Sequence, residues 1–220
     1  MKRNRILRIK SLSNGLIAAA FALVCAQFVS CEKDKKKTDT NYTVIAIEVE
    51  NSSSSISTVK ATVQGVELAS AKYSNSGFTV KLPVPDDDLL VDELMCTLDG
   101  YGLSAYNGNS LSGYIWYYTV NQEEELTIGQ YWYFDSNITL NDSEDGLSID
   151  ISCKQGWNLL YFTTKDLQTG TLTSKKISGL RWIYLDESSF GLNKKSAEMR
   201  SFMDSSGEKL RSCIAKNLKK

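Results

Sequence analysis

Apolar and polar residues alternate along the middle of the chain with the period of two that β-strands have. This alternation is clear at residues 59–63, 78–82 and 147–151, and it predicts strands with one buried and one solvated face. Further strands are predicted at residues 43–50, 66–71, 93–98, 114–120, 130–135, 157–164, 171–175 and 180–185. Short strands separated by turn residues predict an all-β domain at residues 43–190. We expect a two-sheet antiparallel β-sandwich or, alternatively, a β-barrel.

The end of the chain, residues 191–220, follows a different period. Apolar residues recur there at helical spacing among lysines and arginines: Met199, Phe202, Met203, Leu210, Cys213, Ile214 and Leu218. Gly207 follows two serines and predicts a break, so we expect two short helical pieces. Such a basic segment would lie on a membrane or partner, or else it would pack on its own acidic domain or fray at the end of the chain. The second alternative is favoured, because charge complementarity within the chain needs no partner.

Residues 1–30 have the organisation of an export signal. Five basic residues precede an apolar run at residues 16–29, which is shorter than the ~20 residues of a membrane-spanning helix. The run ends at FVSC, residues 28–31. A small residue before such a cysteine resembles the lipobox of bacterial lipoproteins. This resemblance implies cleavage after Ser30 and lipid attachment to Cys31, whereas the alternative is an ordinary secreted protein.

The residues after Cys31 form a polar stretch. Residues 32–41 contain no aliphatic side chain, so residues 31–42 are predicted to be a flexible tether. The lipobox resemblance implies that the membrane is a partner through the N-terminal lipid, and that the protein is located at the bacterial outer membrane. In Bacteroidetes-type lipoproteins, charged residues directly after the cysteine also mark export to the cell surface, which is a further expectation here.

Charge is distributed unevenly along the chain. Residues 38–191 contain 8 basic and 21 acidic residues, a net charge of −13, whereas residues 192–220 contain 8 basic and 3 acidic residues, a net charge of +5. An acidic body argues against nucleic acid as a partner, since phosphate binding requires clustered Lys and Arg. The chain contains no histidine, which excludes Ser-His-Asp and Cys-His catalysis and His-ligated metal sites. We therefore expect a non-enzymatic protein without a cofactor.

Three of the cysteines follow the tether: Cys96, Cys153 and Cys213. Cys96 alternates with the leucines at positions 94 and 98, and Cys153 continues the alternation of residues 147–151. Both are therefore expected on apolar strand faces, as small buried hydrophobic residues. Alternatively, Cys96 and Cys153 form a disulfide in an oxidising envelope. The sequence contains no CxxC motif that would indicate a metal site.

A resemblance to known proteins is carried by YSNSGFTVKLP, residues 73–83. Uncharacterised lipoproteins of Bacteroidetes carry Y-x-N-G-G-F-T-L-x-L-P at this place, and Ser76 replaces one of its glycines here. The same group carries G-W-N, matched by residues 156–158, and P-x-x-L-K-W, matched in part by SGLRW at residues 178–182, where the proline is absent. The resemblance covers residues 43–185. It implies a lipid-anchored envelope protein of all-β fold and no known activity.

Aromatic residues are concentrated in two stretches, GYIWYYTV at residues 113–120 and GQYWYFDSN at residues 129–137. Because alternate residues of a strand lie on opposite faces, Trp116, Trp132 and Phe134 are predicted core residues. Three tyrosines fall on the other face and are candidate ligand-binding residues: Tyr117, Tyr131 and Tyr133. A tyrosine ring stacks and its hydroxyl forms hydrogen bonds, which suits sugars and protein surfaces alike. Alternatively, the second sheet, a loop or the C-terminal helix covers these rings.

Two acidic patterns resemble chemical sites. Residues 141–150 place oxygen-bearing side chains at alternate positions before Gly146, as calcium loops do, but the closing position holds Ser152 instead of glutamate. An acidic hairpin turn is the better interpretation, and no metal is expected. The runs at residues 86–88 and 123–125 offer carboxylates for glycoside hydrolysis, but consecutive strand residues alternate sides and loop runs are usually solvated. No catalytic residue is assigned.

These patterns favour a lipid-anchored, non-enzymatic envelope protein whose β-sandwich binds a glycan or a cell-surface protein through strands 113–120 and 130–135. The first alternative is a structural or accessory subunit of an envelope complex. The second is a carboxylate-based polysaccharide hydrolase. A tyrosine face beside a groove would favour the binding module, a broad apolar patch the accessory subunit, and two facing carboxylates the hydrolase.

Overall fold

The computed structural model describes residues 42–186 and 194–218, which belong to one unit, Asn41–Lys220. The predicted signal peptide, Cys31 and residues 31–41 of the tether lie outside the described residues. The strands are β1 Thr43–Glu50, β2 Thr58–Val63, β3 Val66–Lys72, β4 Gly77–Leu82, β5 Met95–Thr97, β6 Leu103–Asn107, β7 Ser110–Val120, β8 Leu126–Phe134, β9 Ile138–Glu144, β10 Leu147–Cys153, β11 Gly156–Thr164, β12 Gly170–Thr173 and β13 Arg181–Asp186. One α-helix follows, α1 Lys194–Leu218. The predicted all-β class is confirmed.

The thirteen strands are connected by hydrogen bonds into one sheet that, in the described part of the chain, does not close. Its main path is β3-β2-β6-β7-β8-β11-β12-β10-β9, and β13, β1 and β4 continue from the other edge of β7. The ladders are antiparallel, except that β1 runs parallel to β13 and β10 parallel to β12. The long strand β7 pairs first with β6 and then with β8 along one edge. It therefore belongs to both halves of the sheet.

This branching at β7 creates two apolar cores. The first core contains buried residues of β1, β2, β4 and β6, among them Ile45, Ile47, Val59, Ala61, Phe78, Val80, Leu82, Leu103 and Ala105. The second core contains buried residues of β8 to β12 and α1, among them Ile128, Leu140, Ile149, Ile151, Leu160, Phe162, Leu172, Met203, Leu210 and Ile214. Trp116, Trp132 and Phe134 lie in the second core. Their prediction as core residues is confirmed.

Helix α1 is continuous, so the predicted break at Gly207 is wrong. A Cβ atom at Gly207 would lie 3.3 Å from the Trp132 ring, so the glycine lets the helix approach the sheet closely. Helix α1 packs across β9 and β10, and Phe202 meets Phe162 edge to face with 5.0 Å between ring centroids. This burial outweighs the ~1 kcal/mol by which glycine disfavours a helix. The segment thus lies on its own domain, as favoured above.

Polar contacts also hold α1 to the acidic hairpin of β9 and β10. The Glu144 carboxylate accepts hydrogen bonds from Ser212 and Cys213 and forms an ion pair of 2.9 Å with Lys216. The bond to Lys216 lowers the pKa of Glu144 and raises that of Lys216. The basic helix and the acidic β-domain therefore pair their charges within the chain. In residues 42–186 and 194–218, no helix is long and apolar enough to cross a membrane.

The motif turn at residues 74–77 joins β3 to β4. The backbones of Ser74 and Gly77 exchange two hydrogen bonds of 3.0 Å, and Asn75 and Ser76 both have left-handed backbones, with φ of 51° and 61°. A Cβ atom at Gly77 would lie 2.5 Å from the Ile47 carbonyl oxygen. The glycine at position 77 is thus required by the close approach of β1, whereas position 76 holds a serine in a conformation that favours glycine.

We expect Ser76→Gly to raise the free energy of unfolding by about 0.5–1 kcal/mol, because glycine has no Cβ penalty in the left-handed region. Urea unfolding followed by circular dichroism measures this change. Asn75→Gly is the matched control and should change stability less, since asparagine tolerates this conformation. A loss of stability in Ser76→Gly would contradict the assignment of strain to this serine.

Candidate functional site

A row of aromatic residues crosses four strands on the face of the sheet turned to the first core. Trp182 of β13, Tyr117 of β7, Gly129 of β8 and Tyr161 of β11 are in register with one another. The rings of Tyr117 and Trp182 stack, with 4.9 Å between their centroids and 25° between their planes. A Cβ atom at Gly129 would lie 2.4 Å from Cδ1 of Tyr117. The glycine therefore makes room for the Tyr117 ring.

Tyr133 lies further along the same face and is enclosed. Its side chain is 3% exposed and belongs to the first core, where its ring meets Trp157 edge to face at 5.6 Å. The indole Nε1 of Trp157 donates a hydrogen bond of 2.7 Å to the carbonyl of Pro83, which holds the Trp157 ring against Tyr133. Tyr133 is thus a core residue, which corrects its assignment as a candidate for ligand binding.

Tyr131 and Tyr117 are half-buried, in contrast to the enclosed Tyr133. Burial raises the pKa of Tyr131 to about 12, and the neighbouring hydroxyls of Tyr161 and Tyr117 add to this rise. Burial also raises the pKa of Tyr161. At neutral pH the Tyr131 hydroxyl is therefore protonated and serves as a hydrogen-bonding group rather than a base or nucleophile.

A cleft of about 480 Å³ opens beside the Tyr117–Trp182 stack. Besides the two rings, it is lined by Glu48, Val49, Glu50, Asn75, Ser76, Leu180 and Arg181. Arg181 donates from Nη1 to the Glu50 carboxylate over 2.9 Å. The Glu48, Asn75 and Ser76 side chains are exposed. Val49 pairs with Trp182, so the two rings lie on the Val49 face of the sheet, whereas the side chains of Glu48 and Glu50 lie on the opposite face of β1. On the side of the rings, the cleft is bordered by the motif turn with Asn75 and Ser76, and its volume is that of a small-ligand site.

Three members of this arrangement were not among the candidate binding residues predicted from the sequence: Trp157, Tyr161 and Trp182. The signal was present in the GWN and LRW motifs and in the alternation of positions 157, 159 and 161. The partners of these residues on other strands were not apparent from the local pattern. In the structure, Trp157 covers Tyr133 and Trp182 stacks on Tyr117. The motifs of the resemblance thus supply two residues of the aromatic face, Trp157 and Trp182.

The acidic runs lie away from the cleft. Residues 86–88 are exposed, and residues 123–125 belong to a turn in which the Asn121 side chain accepts hydrogen bonds from two backbone amides. Residues 141–150 form the hairpin of β9 and β10, which turns at Asp145 and Gly146. Within the described ranges, no group of three or more Asp, Glu, Cys or His residues could hold a metal ion.

The three cysteines in the described part of the chain are free and buried. Cys96 lies in the first core, whereas Cys153 and Cys213 lie in the second core, so the alternative of a disulfide between Cys96 and Cys153 is not realised. Burial raises the pKa of Cys96 to about 12 and that of Cys153 to about 11. These thiols act as small hydrophobic side chains and not as nucleophiles.

Comparisons with protein-family models, with curated proteins and with solved structures give no match to this chain. The motif residues nevertheless have clear structural roles. Tyr73 and Phe78 pack in the first core with 6.2 Å between their ring centroids, and Pro83 accepts the hydrogen bond from Trp157. The motif residues thus build the fold, and they assign no activity to the chain.

Proposed function

We propose that this chain is a lipid-anchored, non-enzymatic protein of the bacterial outer membrane whose β-domain binds a glycan. The anchor is supported by the signal-like residues 1–30 and by FVSC at residues 28–31. The observation that carries the binding function is the stacked pair of Tyr117 and Trp182 at the side of a polar cleft.

The chemistry of the cleft suits a sugar. A pyranose ring has an apolar C–H face and hydroxyls at its edge, so it needs an aromatic surface beside hydrogen-bonding groups. The Tyr117–Trp182 stack offers the first, and the exposed side chains of Asn75 and Ser76 offer the second.

The positions of the carboxylates favour binding over hydrolysis. Glu48 and Glu50 are two residues apart on β1, so their side chains lie on the same face of the strand. A glycoside hydrolase needs two carboxyl groups on opposite sides of the scissile bond. Glu50 is also engaged by Arg181. The polysaccharide hydrolase therefore has less support than the binding module.

A glycan array probed with the soluble protein, residues 38–220, tests this proposal. We expect Trp182→Ala to weaken binding about ten-fold or more, since aromatic anchors dominate such sites. Glu48→Ala should change the affinity little, because the Glu48 side chain lies on the opposite face of β1 from the two rings. Tyr106→Ala is the control, because Tyr106 is a half-buried strand tyrosine outside the cleft. Circular dichroism confirms that each variant is folded.

Two outcomes would contradict the proposal. If the folded Trp182→Ala variant binds glycan as well as the parent protein does, the Tyr117–Trp182 stack is not the binding surface. If no glycan on the array binds the parent protein, the binding module is rejected, and the accessory subunit of an envelope complex becomes the preferred function.

A further inference from the structure

A cavity of about 110 Å³ lies between helix α1 and the strands β5 and β8. Three of the residues that line it, Met95, Trp132 and Met203, belong to the second core. It shares no lining residue with the cleft beside the Tyr117–Trp182 stack. The cavity is therefore a feature of its own, separate from the proposed glycan site.

Gln130 places a buried amide in the wall of this cavity. The side chain is 5% exposed, and its Oε1 accepts a hydrogen bond of 3.1 Å from the indole Nε1 of Trp132. An indole nitrogen only donates, so this bond fixes which end of the amide is the oxygen. The other end, Nε2, is a buried donor, and no described residue accepts a hydrogen bond from it. Because such a donor destabilises a fold, native proteins supply an acceptor from a water or a ligand.

The size and the walls of the cavity favour a ligand over water. One water molecule needs about 10–15 Å³, whereas a cavity of about 150 Å³ holds benzene. Val91, Met95, Met203 and the ring of Trp132 supply apolar walls, against which several waters would lose hydrogen bonds. Methionine side chains also adapt to the shape of an occupant. The cavity thus fits a small organic molecule with an apolar body.

The charged residues of the cavity lie on helix α1 and have opposite signs. Asp204 is exposed and already has an interaction partner, and Arg211 donates from Nε to the Gly207 carbonyl over 3.3 Å. Since these two charges balance, the cavity does not favour an ion of either sign. A carboxylate at Gln130 would be buried against a neutral donor, which is costly. An uncharged carbonyl oxygen accepts the same hydrogen bond without that cost.

We propose that this cavity binds a small uncharged molecule that has an apolar body and a carbonyl oxygen, such as a ketone or an ester. The carbonyl oxygen accepts a hydrogen bond from Nε2 of Gln130. The apolar body lies against Met95, Met203 and the ring of Trp132. This binding goes beyond the proposed glycan recognition and does not depend on it.

A titration followed by NMR tests the inference on the ¹⁵N-labelled soluble protein, residues 38–220. The probes are cyclopentanone, its hydrocarbon isostere methylenecyclopentane, and isobutyrate as an anion of similar size. The signals of the Gln130 side-chain amide and the Trp132 indole N–H report on the cavity. We expect cyclopentanone to shift both signals and to bind about ten-fold tighter than methylenecyclopentane, because only the ketone accepts the hydrogen bond. Isobutyrate should bind more weakly than cyclopentanone.

Two variants separate the hydrogen bond from the cavity itself. Gln130→Met removes the donor and keeps the length of the side chain, so we expect it to weaken cyclopentanone binding about ten-fold and to leave methylenecyclopentane binding unchanged. Gln155→Met makes the same replacement at an exposed residue outside the cavity and should change neither affinity. Gly207→Ala adds a methyl group to the cavity wall, 3.3 Å from the Trp132 ring, and should weaken the binding of both probes. Circular dichroism shows whether each variant is folded.

Three results would overturn the inference: equal affinity for cyclopentanone and methylenecyclopentane, unchanged cyclopentanone binding in folded Gln130→Met, or tighter binding of isobutyrate than of cyclopentanone. If no probe shifts the Gln130 and Trp132 signals of the parent protein, the cavity holds only water and the inference is rejected. If Gln130→Met does not fold, the comparison of the two probes on the parent protein and on Gly207→Ala decides.

Discussion

Replacing Tyr133 with alanine is expected to lower the free energy of unfolding by about 3–5 kcal/mol, as truncation of a buried aromatic residue does. The side chain is 3% exposed and lies in the first core. Its ring meets Trp157 edge to face, and Trp157 is held in turn by the Pro83 carbonyl. Because a domain of this size is stable by only about 5–15 kcal/mol, the loss is a large fraction of the total. Urea unfolding followed by tryptophan fluorescence measures it.

Two control variants show whether the ring of Tyr133 is the cause. Tyr133→Phe keeps the ring in the core and should cost less than about 1.5 kcal/mol. Tyr42→Ala removes a tyrosine that is 42% exposed and should change stability by about 0.5 kcal/mol. If Tyr133→Ala were as stable as Tyr42→Ala and lost glycan binding, Tyr133 would face a ligand and its place in the first core would be contradicted.

The regular strands could be predicted from the sequence because one face of each is buried. The predicted strand at residues 43–50 coincides with β1, which buries Ile45, Ile47 and Val49 and exposes the residues between them. Two strands were missed. In β6, Leu103, Ser104 and Ala105 are all buried, so no alternation marks it. In β9, the second half is polar on both faces, because Asp142 and Glu144 contact the basic helix.

The division of the aromatic strands into two faces could also be predicted, but the residues that pack over each face could not. Alternation correctly separates Trp132 and Phe134 from Tyr131 and Tyr133. Alternation describes only one strand, whereas the burial of an aromatic ring depends on residues of strands that are distant in the sequence. Because β7 belongs to both halves of the sheet, each face of the neighbouring β8 meets a core of its own. The candidate site therefore depends on β13, which supplies Trp182.

The helix illustrates a conflict between local propensity and packing. Glycine weakens an isolated helix by about 1 kcal/mol, which is why Gly207 predicted a break. The apolar residues on both sides of it bury together against the second core, and Gly207 itself faces Trp132. A residue that is unfavourable for the helix alone is thus suited to the contact between the helix and the sheet. Domain boundaries that exclude residues 194–218 would remove part of the second core.

Leu210→Ala tests this role of helix α1. Leu210 is 0% exposed in the second core, and we expect its truncation to lower the free energy of unfolding by about 2–5 kcal/mol. Glu208→Ala is the matched control on the same helix, because Glu208 is exposed and its replacement favours helix formation slightly. Both are measured by urea unfolding with circular dichroism. If helix α1 were only an appended tail, Leu210→Ala would unfold at the same urea concentration as Glu208→Ala. A single transition at lower urea for Leu210→Ala instead means that the helix and the sheet unfold as one cooperative unit.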